Sequence, residues 1–274
     1  MSVGPNERAG GHSDQGRRQH QQDAYSYSWF DDPVRHVVAV ADGLGSSSGS
    51  DVIAGAAVGL AVRIAEQIAP DHPDLIIDLT RAVLPEMARY AADDGRAAGH
   101  LCTFGDDTVR RPADTALIVA GVTDTGEVHV SWLGDCRAYI LTVEGRLIQL
   151  TDDHNRAAIG RSDFISRTLG FPRGATPRAS WHTITGADRA KRLLLCTDGV
   201  HGALAPGGDG RAYGRTAVPS DPDEHRHQAI RQILQRTPDP HQAATLLVDE
   251  ALHAAGDAAD NATAVVLDIP GHAL

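Results

Sequence analysis

Val37-Val38-Ala39-Val40-Ala41-Asp42-Gly43 is an apolar run that ends in an acid and a glycine. Two distant stretches resemble it: Leu193-Leu194-Leu195-Cys196-Thr197-Asp198-Gly199, and Asp260-Asn261-Ala262-Thr263-Ala264-Val265-Val266, in which the acid comes first. Short aliphatic runs bounded by turn residues predict buried strands. If the three strands lie side by side, their aspartates converge. Converging carboxylates repel and must take up protons or share cations, so the sequence predicts a hard-metal site.

The composition indicates one globular domain that does not bind nucleic acid. The chain has 274 residues, 42% of them hydrophobic, and a net charge of −11. This acidity argues against a nucleic-acid or anionic-membrane partner. Residues 1–11 are polar and lack a secretory signal, so we expect a flexible N-terminus there and a single domain over 12–270. The three cysteines are odd in number, which favours reduced thiols and a cytoplasmic location.

The order of the predicted elements indicates an α+β fold. Helices are expected at 51–69, with Ser50 as N-cap, and at 75–93, 224–235 and 241–255. Strands are expected at 25–29, 36–41, 115–123, 128–133, 138–143, 146–150, 193–197 and 262–269. Residues 94–112 and 206–223 are expected to be loops. Helix pairs between blocks of strands favour two antiparallel sheets with a helix pair on each outer face.

Eight short motifs along the chain, read in order, resemble those of a known family. They are Asp14-Gln15-Gly16-Arg17-Arg18 leading to Gln22-Asp23; Ala41-Asp42-Gly43-Leu44-Gly45; Thr115-Ala116; Gly134-Asp135-Cys136-Arg137-Ala138; Leu150-Thr151-Asp152-Asp153-His154; Ser166-Arg167-Thr168-Leu169-Gly170; Cys196-Thr197-Asp198-Gly199; and Asp260-Asn261-Ala262-Thr263. The set is similar to the metal-dependent protein phosphatase family (protein phosphatase type 2C, PPM), in particular its compact bacterial members.

The resemblance implies a four-layer α-β-β-α sandwich with two divalent metals at one end. It implies that Asp42 bridges both metals, that the Gly43 carbonyl binds one of them, and that Asp198 and Asp260 bind the other. The residue types agree, because ligation by oxygen alone selects Mn²⁺ or Mg²⁺ over zinc. Read singly, an Asp-Gly pair also fits an acid that ends a strand in a turn.

Further site residues follow from the resemblance. Arg18 matches the phosphate-binding arginine, and its forked guanidinium suits that role, although a solvated surface arginine is the plain alternative. Asp23 matches an acid that acts through a metal-bound water, and Gln22 stands where the family usually has glutamate. The aspartate matching Asp135 helps to hold a third metal in some relatives, while a purely structural role is equally open here. Asn261 is expected to tie its own loop.

The implied function is two-metal activation of water to hydrolyse phosphate monoesters. The substrates would be phosphoserine and phosphothreonine proteins, and the enzyme would oppose a serine/threonine kinase. Three departures stand out: the neutral Gln22 removes a charge, Ala113-Asp114 replaces the usual Gly-Thr, and only 156–164 remain where relatives carry a longer flap.

Two other functions compete with this interpretation. The chain could be a catalytically weakened or inactive family member that acts as a regulatory binding module. Gln22 and the short flap favour this alternative. Residues 45–49 also match the GxSxG pattern of serine hydrolases, but there the serine must follow a strand directly, and here Asp42-Gly43-Leu44 intervene.

Overall fold

The computed structural model describes residues 8–31, 34–44, 49–68, 73–93, 100–104, 107–111, 113–156, 161–165, 167–170, 179–185, 190–204 and 227–270. The strands are β1 Ala9–Asp14, β2 Asp23–Asp31, β3 Val34–Leu44, β4 His100–Phe104, β5 Asp107–Arg111, β6 Asp114–Thr123, β7 Val128–Leu133, β8 Arg137–Thr142, β9 Leu147–Gln149, β10 Asn155–Arg156, β11 Arg161–Ile165, β12 Ser180–Ile184, β13 Ala190–Cys196 and β14 Ala262–Asp268. The helices are α1 Ser50–Gln67, α2 Pro73–Asp93, α3 Asp198–Leu204, α4 Gln228–Arg236 and α5 Pro240–Ala255, and a 3₁₀ turn spans Gly256–Ala258.

Two five-stranded antiparallel sheets form the sandwich. The first sheet has the order β12-β7-β6-β3-β2 and the second has the order β1-β14-β13-β8-β9. Helices α1 and α2 pack on the first sheet, and α3, α4 and α5 pack on the second. The predicted α+β sandwich is therefore confirmed, with three helices rather than a pair on the second face.

Alternation along the strands produces three apolar layers. On β3, Val37 and Ala39 face α1, while Val38 and Val40 face the second sheet. Successive side chains on a strand point to opposite faces, so a continuous apolar run predicts a strand buried on both sides. The run that ends at Asp42 is such a strand.

Strand register brings the ends of several strands to one edge of the sandwich. Asp23 on β2 pairs directly with Asp42 on β3. In the second sheet, Cys196 at the end of β13 pairs with Ala264 on β14 and Arg137 on β8. The loops that flank these three strands therefore meet at the same edge.

The first and last helices differ in how they begin. Asp239 caps α5, as its position before Pro240 predicts, and its carboxylate accepts from the Gln242 amide at 2.6 Å. The predicted N-cap of α1 is wrong. Gly49, with φ 107°, occupies that position, and Ser50 is the first helical residue, donating its hydroxyl to the Leu44 carbonyl at 2.7 Å.

Several elements were not predicted. β4 and β5 form a hairpin within the expected loop 94–112, and α3 follows the strand that ends at Cys196. β12 is an edge strand whose side chains are mostly polar or exposed. β1 begins at Ala9, so the second sheet includes residues that the sequence assigns to the flexible N-terminus. The expected loop 206–223 and residues 45–48 of the GxSxG pattern lie outside the described residues, as do 157–160 of the short flap.

In the part of the chain that the structure describes, no helix combines the length and hydrophobicity that a bilayer crossing requires.

Candidate metal centre

Five aspartates from both sheets converge at this edge. Asp23 and Asp42 belong to the first sheet, while Asp135, Asp198 and Asp260 flank strands β8, β13 and β14 of the second. Asp23 and Asp135 are buried, and the other three are half-buried and reach solvent. The convergence predicted from the three apolar runs is thus present, and the cluster is accessible from one side.

Burial and mutual repulsion raise the pKa of four of these carboxyls, those of Asp23, Asp42, Asp135 and Asp198. The pKa of Asp42 lies well above its usual range because the group is desolvated and because Asp198 stands beside it. Burial, followed by the charge of Asp260, raises the pKa of Asp198. Burial also raises the pKa of Asp23 to about 7 and, with the charge of Asp198, lifts that of Asp135. Such a cluster favours the binding of protons or cations.

Two threonines fix Asp23 inside the sandwich. The Thr197 hydroxyl donates to Asp23 Oδ2 at 2.8 Å and accepts from the Thr263 amide at 3.0 Å. Thr263 also hydrogen-bonds Asp23, and its hydroxyl lies 2.6 Å from that of Ser13. These bonds favour the charged form of Asp23 and oppose the effect of burial. They also join the first sheet to the second beneath the cluster.

The backbone around Asp42 is held on both sides. The Thr115 hydroxyl donates to the Asp42 carbonyl at 2.8 Å, and the Gly43 amide donates to the Gln22 carbonyl at 3.1 Å. A Cβ on Gly43 would lie 2.7 Å from the Gln22 carbonyl oxygen and 2.8 Å from that of Ser50. Only glycine fits this position without a shift of the backbone.

Arg18 lies at the solvent side of the cluster. Its Nη2 donates to Asp260 Oδ2 at 2.5 Å, while Oδ1 of the same carboxylate accepts from the Asn261 amide at 2.8 Å. The Arg18 side chain is 56% exposed. A guanidinium at this rim is positioned to meet an anionic substrate that approaches the carboxylates.

A buried polar network supports the turn that contains Asp135. Arg137 forms a two-pronged ion pair with Asp153, at 2.8 Å through Nε and 2.7 Å through Nη2. The His201 Nε2 atom lies 3.0 Å from the Asp135 carbonyl oxygen. Among the described residues, no group donates to the buried Oδ1 of Asp135. An unpaired buried carboxylate oxygen is a ready cation ligand, because leaving it unpaired is costly.

The residues fit hard divalent cations. The donors are carboxylates and backbone carbonyls, the ligands that Mg²⁺ and Mn²⁺ prefer. Within the described ranges, no group of three such side chains is already arranged around a metal position. Asp260 is instead paired with Arg18, and Asp198 hydrogen-bonds Asp42. These partners satisfy the carboxylates, and side-chain rotations would free the same oxygens for an ion.

Sequence reasoning missed the residues that hold the acids in place. Thr115, Thr197 and Thr263 all lie inside the family motifs, next to or near an expected ligand, but no role was assigned to them. Their proximity to the acids was the available signal. Asp114, which departs from the family's usual residue, accepts from the Thr168 hydroxyl at 2.5 Å and the Gly170 amide at 2.7 Å.

The two-sheet sandwich carries a cluster of acids with an arginine at its rim. These features are typical of a metal-dependent hydrolase that acts on anionic substrates. The family model for protein phosphatase 2C matches residues 10–236. The chain belongs to the protein phosphatase 2C family and is a metal-dependent serine/threonine protein phosphatase. The family predicted from the eight motifs is confirmed. A comparison with curated protein sequences found no match.

Solved bacterial phosphatases share the fold. Serine/threonine phosphatase Stp1 from Staphylococcus aureus has a TM-score of 0.67 at 17% identity, with 99% of this chain and 98% of that chain covered. PstP from Mycobacterium tuberculosis has a TM-score of 0.65 at 20% identity, covering 96% and 98%. A PstP catalytic domain solved in complex with two manganese ions has a TM-score of 0.65 at 22% identity, also covering 96% and 98%.

Proposed function

We propose that Asp42, Asp198 and Asp260, with the Gly43 carbonyl, hold two Mn²⁺ or Mg²⁺ ions. The observation that carries this proposal is the convergence of desolvated carboxylates from both sheets at a solvent-accessible edge. Asp42 would bridge the ions. Ions held there supply Lewis acidity and neutralise charge on the phosphoryl group.

The surrounding residues orient the substrate and the ligands. Arg18 binds two phosphoryl oxygens through its fork and offsets charge that builds up during transfer. Asp23 and Gln22 would act from behind the ligands, through water bound to the ions, and two threonines hold the Asp23 carboxylate in place. Thr115 keeps the Asp42 carbonyl in place. Because water activated by the bound ions would be the nucleophile, no covalent phosphoenzyme is required.

The substrates we propose are phosphoserine and phosphothreonine proteins, whose phosphorylation by a serine/threonine kinase this enzyme would reverse. We also propose a cytoplasmic location. The described Cys136 and Cys196 are free and buried, which suits a reducing compartment. Burial also raises the pKa of both thiols, so they remain unreactive.

Hydrolysis of an aryl phosphate and of a phosphothreonine peptide, with and without Mn²⁺ or Mg²⁺, tests the proposal. Asp42→Asn should reduce metal-dependent turnover by at least about 100-fold, because an amide cannot bridge two cations. Asp249→Asn, an exposed change on α5, is the matched control and should retain activity. Turnover that persists in Asp42→Asn would refute the assignment, and esterase activity lost in Ser47→Ala would support a serine hydrolase instead.

Asp135 is the proposed ligand of a third ion, together with Asp198. The unpaired buried Oδ1 supports this role. Calorimetric titration with Mn²⁺ should give one fewer weak site in Asp135→Asn than in the wild type, with the tight sites unchanged. Identical titrations would assign Asp135 to the structure of its turn, and a single tight site in the wild type would indicate that Gln22 has weakened the other.

A further inference from the structure

The buried Asn261 side chain binds the backbone of the N-terminal loop (residues 15–22). Its Nδ2 donates to the carbonyl oxygens of Gln15 at 2.8 Å and His20 at 3.0 Å. Its Oδ1 accepts from the Gln22 amide at 2.9 Å. Asn261 is 5% exposed. One amide thus holds both ends of the loop, whereas the sequence led us to expect that Asn261 would tie only its own turn.

The same loop packs directly against the turn that precedes β14. The Arg17 amide donates to the Ala259 carbonyl at 3.0 Å. Gly16 has φ 60°, and a Cβ there would lie 2.3 Å from the Asp260 carbonyl oxygen. The N-terminal loop therefore lies so close to the Asp260 backbone that only glycine fits at position 16.

These contacts determine where the Arg18 guanidinium stands. Arg18 is mostly exposed, and the one hydrogen bond shown for its side chain within the described residues is the bond to Asp260. A long exposed side chain is positioned mainly by its backbone, and small displacements of a substrate-orienting group cost much activity. The link continues inward, since Gln22 accepts from the Gly43 amide beside Asp42.

We propose that Asn261 is a positioning residue that fixes the phosphate-binding Arg18 relative to the metal ligand Asp260. It acts on the substrate through Arg18 and touches neither ion nor phosphate. This inference rests on the proposed function, because it assumes that Arg18 binds the phosphoryl group. It predicts that the contribution of Asn261 to activity disappears when Arg18 is absent.

A double-mutant cycle with Asn261→Ala and Arg18→Ala tests this, with kcat and KM measured on a phosphothreonine peptide in Mn²⁺. Asn261→Ala should lower kcat/KM by about 10- to 100-fold, as loss of a supporting hydrogen-bond partner commonly does. In the Arg18→Ala background, the same substitution should change kcat/KM less than about threefold, since interacting residues are not additive. Equal losses in both backgrounds would overturn the proposal.

Amide hydrogen exchange provides a readout that does not depend on turnover. In Asn261→Ala, the protection of residues 15–22 should fall while that of β13 stays unchanged, and unchanged protection of the loop would also overturn the proposal. If Asn261→Ala does not fold, Asn261→Asp replaces it. The aspartate keeps an acceptor for the Gln22 amide but turns an oxygen towards the carbonyls of Gln15 and His20.

Gln235→Ala is the matched control. The Gln235 amide also donates to a loop carbonyl, that of Gly145 at 2.8 Å, but this turn lies beyond the end of β8 that is remote from Asp135. Its loss should leave kcat/KM and the exchange of residues 15–22 unchanged. Absence of metal-dependent turnover in the wild type would refute the proposed function, whereas the exchange experiment would still decide the role of Asn261.

Discussion

Single glycines set the spacing between the acids and their neighbours. Gly199 follows Asp198, and a Cβ there would lie 2.0 Å from the Asn261 carbonyl oxygen. The sequence shows a glycine directly after Asp198 but does not reveal this contact, because the contact joins residues 62 positions apart (261 − 199). Close backbone approach, rather than turn geometry alone, explains why glycine stands there.

Gly199→Ala should therefore disturb the centre. Because Cβ cannot occupy a point 2.0 Å from an oxygen, α3 must move away from β14 and take Asp198 with it. We expect a loss of about 1–3 kcal/mol in the free energy of unfolding, as for other overpacked sites, and a marked loss of Mn²⁺-dependent turnover. Urea unfolding and phosphatase assays measure the two effects.

Gly202→Ala, in the same helix, is the control for that substitution. A Cβ there meets nothing within 4 Å. Since alanine is a better helix former than glycine, the variant should be equal to or up to about 1 kcal/mol more stable than the wild type. Equal destabilisation by both substitutions would show that the contact with Asn261 does not matter.

His154 makes stability depend on pH. Its Nδ1 accepts from the Gly134 amide at 3.3 Å, its Nε2 lies 2.9 Å from the Ser180 hydroxyl, and the ring stacks on Trp132. Burial, assisted by the charge of Arg167 and opposed by that of Asp153, lowers the pKa of His154 to about 4. At pH values between its unfolded and folded pKa, His154 is protonated in the unfolded chain but neutral in the folded chain.

Folding should lose stability as the pH falls from about 6.5 towards 4, the window between the unfolded and folded pKa of His154. Lowering the pH from 7.5 to 5 should cost about 2 kcal/mol through this residue alone. Urea unfolding at both pH values, in the wild type and in His154→Gln, measures the difference. An unchanged pH dependence in His154→Gln would assign the acid sensitivity to other groups.

At the scale of elements, prediction succeeded where local chemistry specified the boundary. The helix expected at 241–255 is present as α5, because its boundary residues Asp239, Pro240 and Gly256 act locally as cap, first-turn proline and terminal glycine. Prediction failed for the elements whose formation depends on tertiary contacts. α3 begins in Asp198-Gly199, which also suits a turn, and β1 contains two glycines that lie against His241 and Tyr25. β12 lacks strong alternation because it lies at the edge of its sheet.

Asp239→Ala tests the cap of α5. Removing the acceptor for the Gln242 amide should destabilise the protein by about 1 kcal/mol. Asp249→Ala removes an exposed acid from the interior of the same helix and should change stability by less than about 0.5 kcal/mol. Both variants should keep metal-dependent turnover, because neither residue belongs to the proposed metal centre. Similar stabilities for the two variants would argue against the cap.

At the scale of the molecule, the proposed centre joins the two sheets. Asp23 and Asp42 come from the first sheet, and Asp198 and Asp260 flank strands of the second. A cation bound to both sets cross-links the sandwich and relieves the repulsion between the carboxylates. Ion binding and global stability should therefore be coupled.

Mn²⁺ at about 100 times its dissociation constant should add about 2.7 kcal/mol to the free energy of unfolding. For a domain of this size that corresponds to a rise in Tm of about 5–10 °C. A chelator should reverse the shift, and Asp42→Asn should abolish most of it. Asp249→Asn should shift as the wild type does. A Tm that does not respond to Mn²⁺ would contradict metal binding across the sheets.

The pairing of β1 with β14 has a consequence for engineering. Ala9 lies opposite Leu267 in this antiparallel pair, so β1 runs from that end towards the acidic edge and β14 runs back from the acidic edge to the same end. The chain therefore enters and leaves the sandwich side by side. Seven residues of β14 place this exit roughly 20 Å from Asp260. A protein fused before β1 or after β14 should therefore leave the proposed metal centre accessible to substrate. A short linker between the two ends should also yield a functional circular permutant, opened at an exposed turn such as that at Asp124 and Thr125.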